Sequence, residues 1–174
     1  KIDPQSGTAL EIGSSGDTIT IPSGATIVNS GTQTGFGGTN TPAFIAKSSA
    51  VNSIANNTDV KILYGTEVFD SDGCYASSRF TPTTAGKYFI RGSFRIGSAV
   101  DFSGLKIMIK KNGNTERVHQ QSNWHYETVE IAAIVILNGS SDYVEIFGVQ
   151  NSGGSANTVD DDTYEHFEGF RILT

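Results

Sequence analysis

The chain has 174 residues, enough for one domain plus an appendage, and only 17% of them are charged. Gly, Ser, Thr and Asn take the place of the missing charges, a composition suited to strands and turns, so a helical bundle or coiled coil is excluded. A net charge of −6 and one adjacent basic pair, Lys110-Lys111, argue against a partner nucleic acid or anionic membrane.

The single cysteine, Cys74, rules out an intrachain disulfide framework and a multi-Cys zinc site; it is expected as a buried small side chain. The longest apolar run, Ile131 to Leu137, is far too short to insert in a membrane as a helix. The chain starts at Lys1, as a processed or excised piece does.

Residues 1–41 are poor in the side chains that build cores. Of the aromatic residues only Phe36 precedes Phe44. Ser-Gly pairs recur at Ser6-Gly7, Ser15-Gly16, Ser23-Gly24 and Ser30-Gly31. Between them lie short β-type runs, Ala9–Ile12, Thr18–Ile21 and Ala25–Val28, with Leu10/Ile12 and Ile19/Ile21 alternating onto one face. Runs of four residues are not stable alone. They are expected to form a repetitive β stalk by winding with other chains, the alternative being a Gly/Ser linker. Thr34–Asn40 reads as a Gly-rich hinge.

From Pro42 the chain is expected to be all-β. Strands are predicted at Ala43–Lys47, Val60–Tyr64, Ser77–Thr81, Lys87–Ile96, Leu105–Lys111, Thr115–Gln121, Thr128–Leu137, Tyr143–Gln150 and Tyr164–Leu173. Asn112-Gly113 is a hairpin signal and Asn138–Asp142 a longer turn. Regular spacing of this kind points to an antiparallel sandwich over residues 42–174.

Phe80-Thr81-Pro82, then Gly86-Lys87-Tyr88-Phe89-Ile90, resembles the central signature of the complement C1q globular-domain family, with Ile90 in place of the usual Phe. Phe167-Glu168-Gly169-Phe170 is similar to that family's closing strand, and Lys111–Gly113 and Leu137–Val144 to its intervening turns. The resemblance spans about residues 42–173. It implies a tumour-necrosis-factor-like antiparallel jelly-roll head that assembles as a homotrimer on a stalk. No Gly recurs at every third position, so the stalk is not collagen. Gly16–Gly31 instead resembles short-repeat segments of bacteriophage tail fibres, which implies a virion location and a host surface receptor, a glycan or an outer-membrane protein. The alternatives are a purely structural trimerisation and folding cap, or a secreted adhesin or cytokine-like ligand.

The resemblance also orders the connections. Pro82–Gly86, Asn112–Asn114 and Asn138–Asp142 fall at one end, and Gly97–Gly104, Ser122–Glu127 and Asn151–Thr163 at the distal end. The distal set carries the candidate receptor-binding residues Asp101, Phe102, Asn123, Trp124, His125 and Tyr126. Trp and Tyr offer stiff contact area with a polar handle, suited to protein hot spots and sugar rings; packing between subunits is the other reading. Asp160, Asp161 and Asp162, with Asp101 or Glu127, are candidate Ca2+ ligands, because some members of the family carry calcium near this apex. Asp70-Ser71-Asp72-Gly73 opens like an EF-hand loop, but Thr81 stands where its closing Glu belongs, so it is read as a turn. His119, His125 and His166 lack a metal-site spacing, and Ser103-Gly104-Leu105-Lys106 is a chance Ser-x-x-Lys. No enzyme activity is expected.

Overall fold

A computed structural model describes residues 12–28, 30–31, 40–97, 101, 103–121 and 127–173. The chain divides into two units, Lys1–Gly37 and Gly38–Thr174.

In the first unit the described residues form two turns. The Asp17 amide donates to the Ser14 carbonyl (3.0 Å) and the Ala25 amide to the Pro22 carbonyl (3.1 Å). Gly16 (φ 95°) and Gly24 (φ 85°) supply the left-handed backbone that a β-carbon would oppose. The runs expected to become strands by winding with other chains, Thr18–Ile21 and Ala25–Val28, form no strand with any described residue of this single chain. An isolated run of four residues gains too little from one apolar face to hold a ladder. Ala9 to Glu11 and Thr34 to Thr39 lie outside the described residues.

The second unit is an antiparallel sandwich with no helix among the described residues. Its strands in chain order are β1 (Ala43–Lys47), β2 (Ser53–Ile54), β3 (Val60–Lys61), β4 (Thr66–Asp70), β5 (Tyr75–Ala76), β6 (Arg79–Phe80), β7 (Gly86–Arg95), β8 (Leu105–Lys111), β9 (Asn114–Gln121), β10 (Thr128–Leu137), β11 (Val144–Gln150), β12 (Ala156–Asn157) and β13 (His166–Ile172). One sheet runs β10-β7-β13-β1-β4; the other runs β5-β6-β11-β8-β9, with β3 also on β11. β12 and β2 make a separate pair.

Period-two alternation builds the core. Tyr88, Ile90 and Phe94 point inward from β7, with Phe44 from β1, Phe167 from β13, and Ile107, Ile109, Val144 and Ile146 from the opposite sheet. Phe44 stacks on Phe80 (4.4 Å between ring centroids) and meets Phe167 edge-on (4.8 Å). Gly92 leaves room for the opposite sheet, since a β-carbon there would sit 2.6 Å from Ile146 Cδ1. Cys74 is buried, 5% exposed, as expected.

Two expectations are corrected. Ser77–Thr81 is not one strand but the turn and return arm of the β5–β6 hairpin, with Ser77 and Ser78 both at positive φ. Their backbone is held by Lys61 Nζ donating to the Ser77 carbonyl (2.7 Å) and the Tyr64 amide donating to Ser78 Oγ (2.8 Å). Strand Val60–Tyr64 shortens to two residues because the Leu63 amide donates to the Asn52 side chain (2.8 Å) instead of to a ladder.

Candidate functional site

Hydrogen bonds sort the connections onto two ends. At one end the Tyr143 amide donates to Asn112 Oδ1 (3.0 Å) and Asn112 Nδ2 to Asp142 (2.7 Å). Gly139 lies against the Thr84 and Ala85 backbone, leaving no room for a β-carbon. Asn138 Oδ1 accepts from the amides of Ser140, Ser141 and Asp142, so this end is tightly self-satisfied.

The other end gathers the longer connections. The Gly104 amide donates to Asn151 Oδ1 (2.8 Å), the Gly97 amide to the Asn157 carbonyl (2.8 Å), and the Ile96 amide to the Glu127 carbonyl (2.9 Å). Gln121 Nε2 donates to Glu127 Oε2 at 2.6 Å, clamping the two roots of the Ser122–Tyr126 connection. Phe102, Asn123, Trp124, His125 and Tyr126 themselves lie outside the described residues. Asp101 is exposed at this end.

The acidic run is already engaged. Asp162 pairs with Lys47 (3.2 Å), and Asp161 Oδ1 accepts from the Thr163 amide (2.8 Å). That amide bond, helped by the Thr163 side chain, holds the Asp161 carboxyl below the usual carboxylate range. Among the described residues no three acidic, His or Cys side chains are grouped so that they could hold a metal ion.

Sequence reasoning missed Glu165, a carboxyl fully buried just before β13. The Arg95 amide reaches Oε1 at 3.5 Å, and Oε2 has no partner. Burial pushes its carboxyl up to about 7, with Asp160 adding to the shift and the Ser48 and Thr158 hydroxyls opposing it. The same burial, together with the Glu165 charge, raises the Tyr64 phenol. Nearby Arg95 stacks over the Tyr164 ring (4.4 Å).

A second surface was also missed. On the outward face of the five-stranded sheet, register places Ile134, Phe89, Phe170 and Ala43 in one row across four strands, and Ile45 beside Phe69 in the next. Ile134, Ile136 and Phe69 are 57%, 66% and 48% exposed. Phe89 and Phe170 line a groove of about 310 Å³ with Ile45 and Phe69. The signal was present in Ile131–Leu137: a run apolar at every position has two apolar faces, and the sandwich covers only one. Toward the distal end the same face turns polar, with Arg91 between Glu168 (2.7 Å) and Glu130 (2.6 Å).

No protein-family model matches the sequence, and no curated protein matches it. Solved structures do match the fold. Murine APRIL is similar at a TM-score of 0.60 and 9% identity, over 75% of this chain and 98% of that one. Eiger TNF from S. frugiperda gives 0.56 and 7%, over 75% and 92%. The globular domain of zebrafish complement 1qA protein gives 0.54 and 15%, over 76% and 98%. The fold is thus an all-β jelly roll of the TNF/C1q type.

Proposed function

We propose that this chain is a non-enzymatic, homotrimeric recognition head, the receptor-binding tip of a bacteriophage tail fibre at the virion surface. The observation that carries the reading is the uncovered apolar row Ile134–Phe89–Phe170 on a sheet whose other face builds the core through Phe44, Tyr88, Ile90, Phe94 and Phe167. Apolar surface of that kind marks an interface, and a threefold arrangement lets one patch be covered without open-ended growth. It leaves the loop-rich end free. There Asp101, Phe102, Asn123, Trp124, His125 and Tyr126 are the proposed contacts for a host glycan or outer-membrane protein. Three copies on one axis multiply a weak single contact into useful avidity. The fibre context is supported by the likeness of Gly16–Gly31 to fibre repeats.

A cytokine-like secreted ligand is the second reading, favoured by the likeness to APRIL and Eiger TNF. Host adsorption separates the two. Replacing Trp124 and Tyr126 by Ala abolishes adsorption to the bacterial host while assembly survives, if the fibre reading holds. Unchanged adsorption moves the contact off this loop, and a wild-type chain that binds no bacterial surface favours the ligand reading.

A further inference from the structure

The second sheet carries a polar pocket on the side turned away from the core. Strand alternation puts Val144 and Ile146 of β11 inside and sends Glu145 to the outer side, where Lys61 of β3 and Arg79 of β6 cover it. Beside this trio opens a pocket of about 440 Å³ whose lining includes Lys61, Arg79, Cys74, Ser77 and Thr81.

One guanidinium in the lining is aimed and unspent. Arg79 Nε donates to Glu145 Oε1 at 2.9 Å, and its guanidinium carbon lies 3.9 Å from the centre of the Tyr143 ring. A planar group held by one edge and one face has a fixed orientation. The two terminal nitrogens of Arg79 donate to no described residue, and its side chain is 44% exposed. Lys61 Nζ is fixed beside it. It donates to the same Glu145 oxygen and to the Ser77 carbonyl, both at 2.7 Å, which leaves one of its protons unused.

We propose that this pocket binds an acidic sugar, whose carboxylate takes the two free nitrogens of Arg79 and whose ring hydroxyls meet Ser77 and Thr81. An arginine fork matches the two oxygens of a carboxylate. Charge selects that group over phosphate, because two cations and one carboxylate leave a single positive charge, the complement of a monoanion. The neighbouring turn disfavours a dianion further. Its carboxylates are directed into the turn itself, Asp70 accepting from the Asp72 and Tyr75 amides and Asp72 from the Ser71 hydroxyl. The Ser77 and Thr81 hydroxyls each donate and accept, as the hydroxyls of a sugar ring require. A volume near the lower end of small-molecule sites, roughly 300–1,000 Å³, suits one ring better than an extended chain. The pocket belongs to the sheet opposite the Ile134–Phe89–Phe170 face, so covering that face leaves it open, and it is separate from the contacts proposed on the distal connections.

Isothermal titration of the full chain tests it, with sodium glucuronate as the probe and glucose, sodium acetate and inorganic phosphate as comparators. Glucuronate should bind at least tenfold more tightly than any of the three. Arg79→Ala should weaken glucuronate at least tenfold. Arg79→Lys keeps the charge beside Glu145 but cannot fork, so it should weaken glucuronate nearly as much, and it decides the matter if Arg79→Ala does not fold. Wild-type affinity in the lysine variant overturns the proposal. Acetate bound as tightly as glucuronate shows that no ring is read, and an acidic peptide then fits as well as a sugar; phosphate bound as tightly shows that the charge is not matched to a monoanion. Either result overturns the proposal, as does a wild-type chain that binds no glucuronate.

Discussion

Phe89 on β7 and Phe170 on β13 stand side by side on the outward face of the five-stranded sheet, ring centroids 5.4 Å apart. Their backbones are cross-strand partners, and Ile134 on β10 continues the row. Cross-strand aromatic pairs stabilise a sheet, but two phenylalanines lining an open groove also keep apolar area in contact with water. Covering that area with a second copy is the physical motive for the proposed assembly.

Substitution of this row should therefore separate assembly from folding. The double variant Ile134→Asp/Phe170→Asp should drop to single-chain mass in light scattering, with an unchanged far-ultraviolet circular dichroism spectrum. Both side chains are outward and at least 40% exposed, so the core is untouched.

Stability should depend on pH through Glu165. Its carboxyl is raised from an ordinary 4.5 to about 7, so the folded chain holds the proton more tightly than the unfolded chain does. The contribution is fully present below pH 4.5 and is lost as pH rises toward and through 7, roughly 3 kcal/mol in all. Glu165→Gln should abolish that loss and give a higher urea midpoint than wild type at pH 8. Equal midpoints at pH 8 would show that the carboxyl ionises without penalty.

Glu145 should act with the opposite sign. Although burial acts to raise it, the hydrogen bonds from Lys61 (2.7 Å) and Arg79 (2.9 Å) hold its carboxyl below the usual range. Its contribution is present at neutral pH and lost as pH falls through that lowered value. Glu145→Gln should cost roughly 2 kcal/mol at pH 7, measured by urea unfolding, and little at pH 2.

The turn end offers a steric test. Gly139 has φ 71° and presses on the Thr84 and Ala85 backbone. Gly139→Ala should destabilise the head by roughly 2 kcal/mol, read as a lower melting temperature. Gly113 also has positive φ but opens on free space, so Gly113→Ala should cost less.

How much of this was legible follows from what each segment buries. Leu105–Lys111 and Thr128–Leu137 match their strands end to end, because each has a packed face and a turn residue at its border. Thr66–Asp70 escaped notice. It is an edge strand whose residues are exposed or half-buried, so no alternation marks it, and Phe69 acquires meaning only beside Ile45. The Ser77-Ser78 turn was hidden for a different reason: serine rarely takes positive φ, and Lys61 and Tyr64, distant in sequence, hold it there. Glu165 carried no local signal at all, since Ser48, Arg95 and Thr158 close around it only in three dimensions. The distal placement of the Ser122–Glu127 connection came from the family resemblance, and of that connection the structure describes only the roots, Gln121 and Glu127.

The most direct measurement is the mass of the full chain in solution at micromolar concentration, by multi-angle light scattering. The account predicts three times the 18.5 kDa of one chain. A mass of 18.5 kDa would mean that the Ile134–Phe89–Phe170 face stays open to water, and would contradict it.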